Sequence, residues 1–450
     1  MKELKGAMRY GSVTGKSPMV GFRDALFRGM ASDGGLYVPE QIPHLSIPFL
    51  DSLSSQSLHT IGRQVVSLFA DDIPDHDLSR LIERAWTFPI PLVKLEENLF
   101  LLELFHGPTL AFKDVGARFM AQALSYYLEK ERRQITIAVA TSGDTGSAVA
   151  HGFYNVPHVD VFVLYPSGRI SKLQEQQMTT LGGNIHALEV EGTFDDCQRL
   201  VKQALADREV VEARNLTTAN SINVGRLIPQ IVYYIWAVAQ LRGVHSIQTP
   251  PTVVVPSGNF GNLTAAAYAR SMGDPIDGFI AATNANDVVP EYLASGTFTP
   301  RPSVQTYSNA MDVGNPSNFA RLQFLYKHQV ETMRRDIQAE SVTDEETIDE
   351  IRTTYGRNGT VLDPHTAVGV RAARRVYGSA FPKPVIVAAT AHPGKFPDVV
   401  QRGLGREIPL PPALSEAMRK QKQSLFIKPH YGKVKALFMS PPSSSEYSQR

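Results

Sequence analysis

The stretch "PPTVVVPSGNFGNLTAAAYARSM", residues 250–272, sets a β-branched run, a glycine-bearing turn and an alanine-rich helical segment in direct succession. The valines at 253, 254 and 255 show no polar alternation, which fits a strand covered on both faces. The same order recurs along the chain. "QITIAVAT" precedes "DTGSAVAHGF", "HVDVFVLYP" precedes "ISKLQEQQMTT", and "NIHALEVEG" precedes "TFDDCQRLVKQALAD". "DGFIAATNAND" and "KPVIVAATA" supply two more strands. Strands alternating with helices predict crossover units, a parallel sheet and an α/β fold. Ligands in such folds bind beyond the carboxyl ends of the strands, so chemistry is sought in the strand-to-helix turns.

Residues 1–93 read as a separate, mainly helical unit. "SPMVGFRDALFRGMASDGGLYVPEQIP" predicts a helix ended by Gly34-Gly35, then a short strand, and "FPIPLVKL" reads as a linker. Residues 94–430 form the α/β region, with a smaller subdomain at about 131–224 inserted in a larger one. The polar end "PPSSSEYSQR" predicts a flexible tail over 431–450.

The chain has 450 residues, 43% hydrophobic and 20% charged, so it has ample material for a core. With 45 Lys+Arg against 44 Asp+Glu the net charge is +1, and neither nucleic acid nor an anionic membrane is called for. A single cysteine, Cys197, rules out a disulfide framework and reads as a small apolar filler on a helix. The opening "MKELKGAMRYGSV" lacks the apolar core of a signal peptide, and no segment reaches the roughly 20 apolar residues of a membrane span. A cytoplasmic location is expected.

Four turns and one lysine concentrate the chemistry. Lys113 sits in an apolar run, "LFHGPTLAFKDVGARFM", beside Asp114. It reads as a surface charge, an ion-pair partner or a nucleophile. The turn "PSGNFGN" has glycines at 258 and 261 that allow close backbone approach, and a helix N-terminus ready for phosphate. It matches neither the Walker loop nor the dinucleotide fingerprint. "TSGDTGSA" gathers hydroxyls at Thr141, Ser142 and Thr145 around Asp144, a carboxylate- or phosphate-binding turn or an ordinary capped helix start. In "NSINVGRLIPQ", Arg226 reads either as a fork for a phosphate or as an exposed arginine at a capped helix start. "TAHPGKFPD" ends a strand at Thr390. An amine, a phosphate cradle, an anion turn and a strand-end hydroxyl are together the inventory pyridoxal phosphate requires.

These five motifs, in their order along the chain (the Lys113 segment, "TSGDTGSA", "NSINVGRLIPQ", "PSGNFGN" and "TAHPGKFPD"), closely resemble the threonine synthase family, pyridoxal-phosphate enzymes of the tryptophan-synthase-β superfamily. "MRYGSVTGK" and "ASDGGLYVPEQIP" resemble the family's opening segment. The resemblance implies fold type II, with two doubly wound parallel-sheet domains, and pyridoxal 5′-phosphate as cofactor, with no metal. It implies that Lys113 forms the Schiff base and that Gly258, Asn259, Phe260, Gly261 and Asn262 cradle the cofactor phosphate, mainly through backbone N–H. Thr390 would face the ring nitrogen. Thr141, Ser142, Asp144 and Thr145 would lie at the substrate carboxylate, and Ser221, Asn223 and Arg226 at the substrate phosphate. Val224 and Gly394 stand where tryptophan and alanine are common in relatives. The implied reaction converts O-phospho-L-homoserine and water to L-threonine and phosphate, in a monomer or homodimer. Alternatives on the same scaffold are a phospho-lyase giving 2-oxobutyrate and a binding protein without catalysis.

Overall fold

A computed structural model describes residues 7–442. Its strands are β1 (Tyr10–Ser12), β2 (Tyr37–Pro39), β3 (Leu92–Glu96), β4 (Leu99–Glu103), β5 (Ile135–Ala140), β6 (Val159–Pro166) and β7 (Ile185–Val190). They continue with β8 (Leu216–Thr218), β9 (Thr252–Pro256), β10 (Gly278–Thr283), β11 (Ile337–Ser341), β12 (Val385–Ala389) and β13 (Leu425–Ile427). One sheet has the order β11-β10-β9-β12-β4-β3 and the other β13-β7-β6-β5-β8. The smaller sheet is parallel throughout; in the larger, only the β3–β4 pair is antiparallel.

The valine run behaves as its composition demands. Val253, Val254 and Val255 are all buried in β9, with helices over both faces of the sheet. The helix Val224–Gly243 is buried nearly all round and packs on the helices Lys113–Glu131 and Gly261–Ser271. Strands β4, β5, β8, β9 and β12 all lead at their carboxyl ends into one cavity between the two sheets, through residues such as Thr141, Asn220, Gly258 and Thr390.

Three boundaries differ from the sequence reading. The first helix, Phe22–Arg28, stops at Gly29 rather than at Gly34-Gly35. Gly29 has φ 69° and its N–H closes on Ala25 O at 3.0 Å, so the earlier glycine supplies the left-handed stop. The supposed linker contains β3, so residue 93 lies within a strand, held there by the buried Leu92 and Leu95 and by pairing with β4. The supposed tail contains a helix, Tyr431–Met439, whose buried Val434, Leu437 and Phe438 follow helical spacing. Phe438 meets Phe162 with ring centroids 4.7 Å apart, and β13 just before it extends the smaller sheet. Residues 443–450 of that expected tail lie outside the described residues.

The helix that begins at Lys113 is braced from the N-terminal side by Trp86. This indole is 1% exposed, donates Nε1–H to Val115 O at 3.1 Å and lies 6.2 Å from the Phe119 ring. Gly62 approaches it so closely that a Cβ there would stand 2.4 Å from a ring carbon. Trp86→Ala removes a filled site and an indole donor, and should cost about 3–5 kcal/mol. Urea unfolding should show an earlier first transition in the variant; an unchanged midpoint would contradict this bracing role.

Candidate active site

Lys113 is the first residue of its helix, and the chain before it is folded back sharply. Leu110 adopts φ 58°, a left-handed conformation uncommon for a leucine, where its N–H meets Gly107 O at 3.0 Å. The segment then runs antiparallel to the chain leaving β12. Leu104 N–H to Ala389 O (3.0 Å) closes the parallel β4–β12 ladder, and after the fold-back Phe112 N–H bonds to Thr390 O (2.9 Å) and His392 N–H to Leu110 O (3.0 Å). Lys113 and Thr390, far apart in sequence, thereby line the same cavity.

Asp114 does not pair with Lys113. Its carboxyl oxygens accept from Thr109 N–H (2.8 Å) and Thr109 Oγ1 (2.7 Å), and burial raises it to about 6 in spite of those bonds. The carboxylate near Lys113 is Asp144, whose Oδ2 is 3.9 Å from Nζ. Burial pulls the Lys113 ammonium down to about 8; Asp144 opposes the fall, and Lys395 and Arg226 add to it. The side chain is 14% exposed, so the amine faces the cavity from a largely dry setting.

The turn after β9 forms a cradle. Phe260 has φ 59° and precedes the helix Gly261–Ser271. The first bond of that helix is Thr264 N–H to Phe260 O at 3.0 Å, so the N–H groups of Gly261, Asn262 and Leu263 have no acceptor within it. The Asn259 side chain is spent on neighbouring loops, Nδ2 to Ser221 Oγ (2.6 Å) and Oδ1 from Ser317 N–H (2.5 Å). Asn262 Oδ1 accepts from Tyr233 and Tyr234, while its buried Nδ2 has no protein partner.

Other predicted residues separate into lining and support. Ser142, Thr145, Ser221 and Arg226 line the cavity. Thr141 also lines it, but its oxygen caps the helix Asp144–Phe153 by accepting from Gly143 N–H (2.9 Å) and Gly146 N–H (2.8 Å). Asn223 is not among the lining residues. It caps the helix Val224–Gly243 through Gly225 N–H (2.9 Å), and its amide donates to Leu26 O (2.9 Å) and Thr218 O (3.0 Å), which leaves nothing for a substrate. Arg226 is 2% exposed; burial lowers its guanidinium to about 10, so it remains a cation at neutral pH. One guanidinium nitrogen, Nη1, donates to Ala219 O (2.5 Å) and Nε is buried without a partner.

Sequence reasoning gave no role to three residues here. Lys395 forms an ion pair with Asp144 Oδ1 at 2.8 Å. Gln174 donates to the same oxygen at 3.0 Å. His365 lines the cavity, with Nδ1 at 2.8 Å from Asp363 Oδ1 and Nε2 accepting from Ala310 N–H at 3.2 Å. Lys395 was visible in "HPGKFPD"; the other two carry no local signal. Among the described residues no cluster of three or more His, Cys, Asp and Glu gathers to hold a metal, and no helix is long and apolar enough to cross a membrane.

The profile described as "Pyridoxal-phosphate dependent enzyme" matches residues 86–390. "Threonine synthase N terminus" matches 9–86 and "Threonine synthase, C-terminal" matches 366–437. The threonine synthase of Serratia marcescens is 42% identical over 94% of this chain and 97% of its own length. The chain belongs to the threonine synthase family. Its fold follows the crystal structure of threonine synthase from Escherichia coli, with a TM-score of 0.89 and 40% identity over 96% of this chain and all of that one. A PLP-bound threonine synthase from Brucella melitensis aligns equally well, with a TM-score of 0.89 at 37% identity over 96% of this chain and 99% of that one. The cofactor of the family is pyridoxal 5′-phosphate.

The residues present fit that cofactor. A Cβ at Gly258 would come within 2.8 Å of Ala310 O and Met311 Cα, so the cradle is closed to any side chain. Its helix N–H groups and the unpartnered amide of Asn262 are donors suited to a phosphate. Gly258→Ala should weaken cofactor binding roughly five- to 150-fold, given about 1–3 kcal/mol for overpacking. Titration of apoenzyme with cofactor, followed by absorbance, measures this. Because burial lowers Lys113, its neutral amine predominates only above about pH 8. Cofactor capture by apoenzyme should therefore accelerate as pH rises through that value; a rate flat from about pH 6.5 to about pH 9 would contradict the assignment.

Proposed function

We propose that the chain converts O-phospho-L-homoserine and water to L-threonine and phosphate, with Lys113 as the amine that anchors the cofactor and then moves the substrate's protons. The observation that carries this reading is the charge of the cavity. Lys113, Lys202 and Arg226 line it, against the single carboxylate of Asp144, which Lys395 already neutralises. Such a site has positive charge to spare for a phosphate on the substrate as well as the one in the cradle.

Each group then has a task. Arg226 holds the substrate phosphate, helped by Ser221. The turn from Ser142 to Thr145 receives the substrate carboxylate. The cofactor, when bound, supplies an electron sink that stabilises negative charge at Cα. Thr390 offers a hydroxyl to the cofactor ring nitrogen, and unlike a carboxylate a hydroxyl does not force that nitrogen to stay protonated. Lys113 Nζ takes the proton from Cα and then one from Cβ. Phosphate leaves Cγ, a proton returns to Cγ, water adds its hydroxyl at Cβ, and a proton returns to Cα, so the atoms of substrate and water account for threonine and phosphate.

Purified holoenzyme incubated with O-phospho-L-homoserine should yield threonine and phosphate by NMR. Formation of 2-oxobutyrate and ammonia without threonine would replace this reading with a phospho-lyase. Lys113→Ala should abolish borohydride-trapped cofactor and lower turnover by a factor of about a thousand or more; an active variant would refute the role of Lys113.

A further inference from the structure

Two lysines share one buried carboxylate. Lys395, at the end of the short turn Pro393–Lys395, is 0% exposed. Its Nζ lies 2.8 Å from Asp144 Oδ1 and donates to Thr109 O, also at 2.8 Å. Gln174 donates to the same Oδ1 at 3.0 Å and is pressed onto the turn where a Cβ on Gly143 would meet it at 2.4 Å. Oδ1 therefore takes two donors, and Oδ2 faces Lys113 from 3.9 Å. The buried Lys395 side chain thus has both a carboxylate and a carbonyl as close partners. A lone carboxylate at that distance from Lys113 would favour its ammonium form, whereas one already paired has little field left to do so.

We propose that Lys395 is a positioning residue for the reaction: its ammonium neutralises and orients Asp144, so that of the two lysines Lys113 is the one that gives up its proton. This rests on Lys113 being the cofactor-anchoring amine. The other charges around the pair do not take over this task. Arg226, from the helix Val224–Gly243, has the same sign as Lys395 and no contact with Asp144. Asp114, beside Lys113 on its own helix, is occupied by Thr109. Arg118 on that helix is bound to Ala85 O at 2.6 Å and Arg84 O at 3.0 Å. His151, on the helix Asp144–Phe153, is pushed down by burial to about 4 and is neutral. The loop that carries Thr390 thus also carries the ammonium that sets the charge balance of the amine.

The test uses Lys395→Met, Lys395→Arg, Asp144→Asn and the double variant Lys395→Met/Asp144→Asn. Two readouts are followed against pH: the acidic limb of kcat in holoenzyme, where Lys113 has been released from the cofactor, and labelling of Lys113 by acetic anhydride in apoenzyme, mapped by mass spectrometry. Lys395→Met leaves Asp144 unbalanced and should move both limbs upward by about one unit or more. Lys395→Arg should keep them near the original value. The double variant removes both charges and should return them to within about half a unit of the parent. A folded Lys395→Met protein whose Lys113 limb stays in place overturns the proposal. If that variant does not fold, the double variant decides, and a downward shift of about a unit or more overturns it. Borohydride trapping in the parent enzyme followed by peptide mapping tests the role of Lys113 separately: a label on another lysine removes that role whatever the limbs do.

Discussion

Everything in the site depends on a short stretch of antiparallel backbone pairing between the chain before Lys113 and the chain after β12. Two peptide hydrogen bonds make it, Phe112 N–H to Thr390 O and His392 N–H to Leu110 O. Backbone pairing of this kind fixes position without regard to side-chain identity. It sets the start of the Lys113 helix at the carboxyl end of the larger sheet. It also brings Thr109 and Lys395 together, since both sit just outside the paired residues. The strained backbone at Leu110 is the local cost of the fold-back, and the pairing holds it in place.

The pairing fixes where the amine is; burial and charge fix what it can do. The polar groups around the cavity fall into two kinds. Asn223, Asn259 and Thr141 are committed to neighbouring backbone or side chains and stiffen the loops. Arg226 Nε and Asn262 Nδ2 are buried and uncommitted. Groups of the second kind are unfavourable in a protein that never binds anything, because an unmatched buried donor costs about 1–3 kcal/mol. They make sense as donors kept for a ligand.

Much of the fold was legible because a two-face-buried strand must be apolar along its length, and the valine runs at β6, β9 and β12 announce it. The turns after β5, β9 and β12 were legible for the same reason, since each follows such a run. What the sequence hid were contacts made at long range. Asn223 looked like a ligand-binding side chain because its partners Gly225 and Thr218 are local but Leu26 O is not. Lys395 gave no hint of Asp144, and nothing local marks His365 or Gln174. The polar end of the chain obscured the helix Tyr431–Met439, whose apolar spacing is only three residues strong and acquires its meaning from Phe162 in a distant strand.

Arg321 joins the opening unit to the site. It is fully buried, with Nε and Nη2 donating to Tyr37 O at 3.0 and 2.8 Å, Nη2 to Ile222 O at 2.7 Å and Nη1 to Asn318 Oδ1 at 2.6 Å. Asn223 reaches the same unit at Leu26 O. The three bonds to Tyr37 O and Leu26 O run from side chains of the α/β region to main-chain carbonyls of the N-terminal one, so they are indifferent to which side chains Leu26 and Tyr37 carry but not to the backbone path. Those two anchor points therefore tolerate changes of side chain at Leu26 and Tyr37, yet the unit cannot be exchanged as a cassette. Any substitute recruited by recombination would have to present two carbonyls, in the places now held by Leu26 and Tyr37, to an arginine and an asparagine already waiting for them.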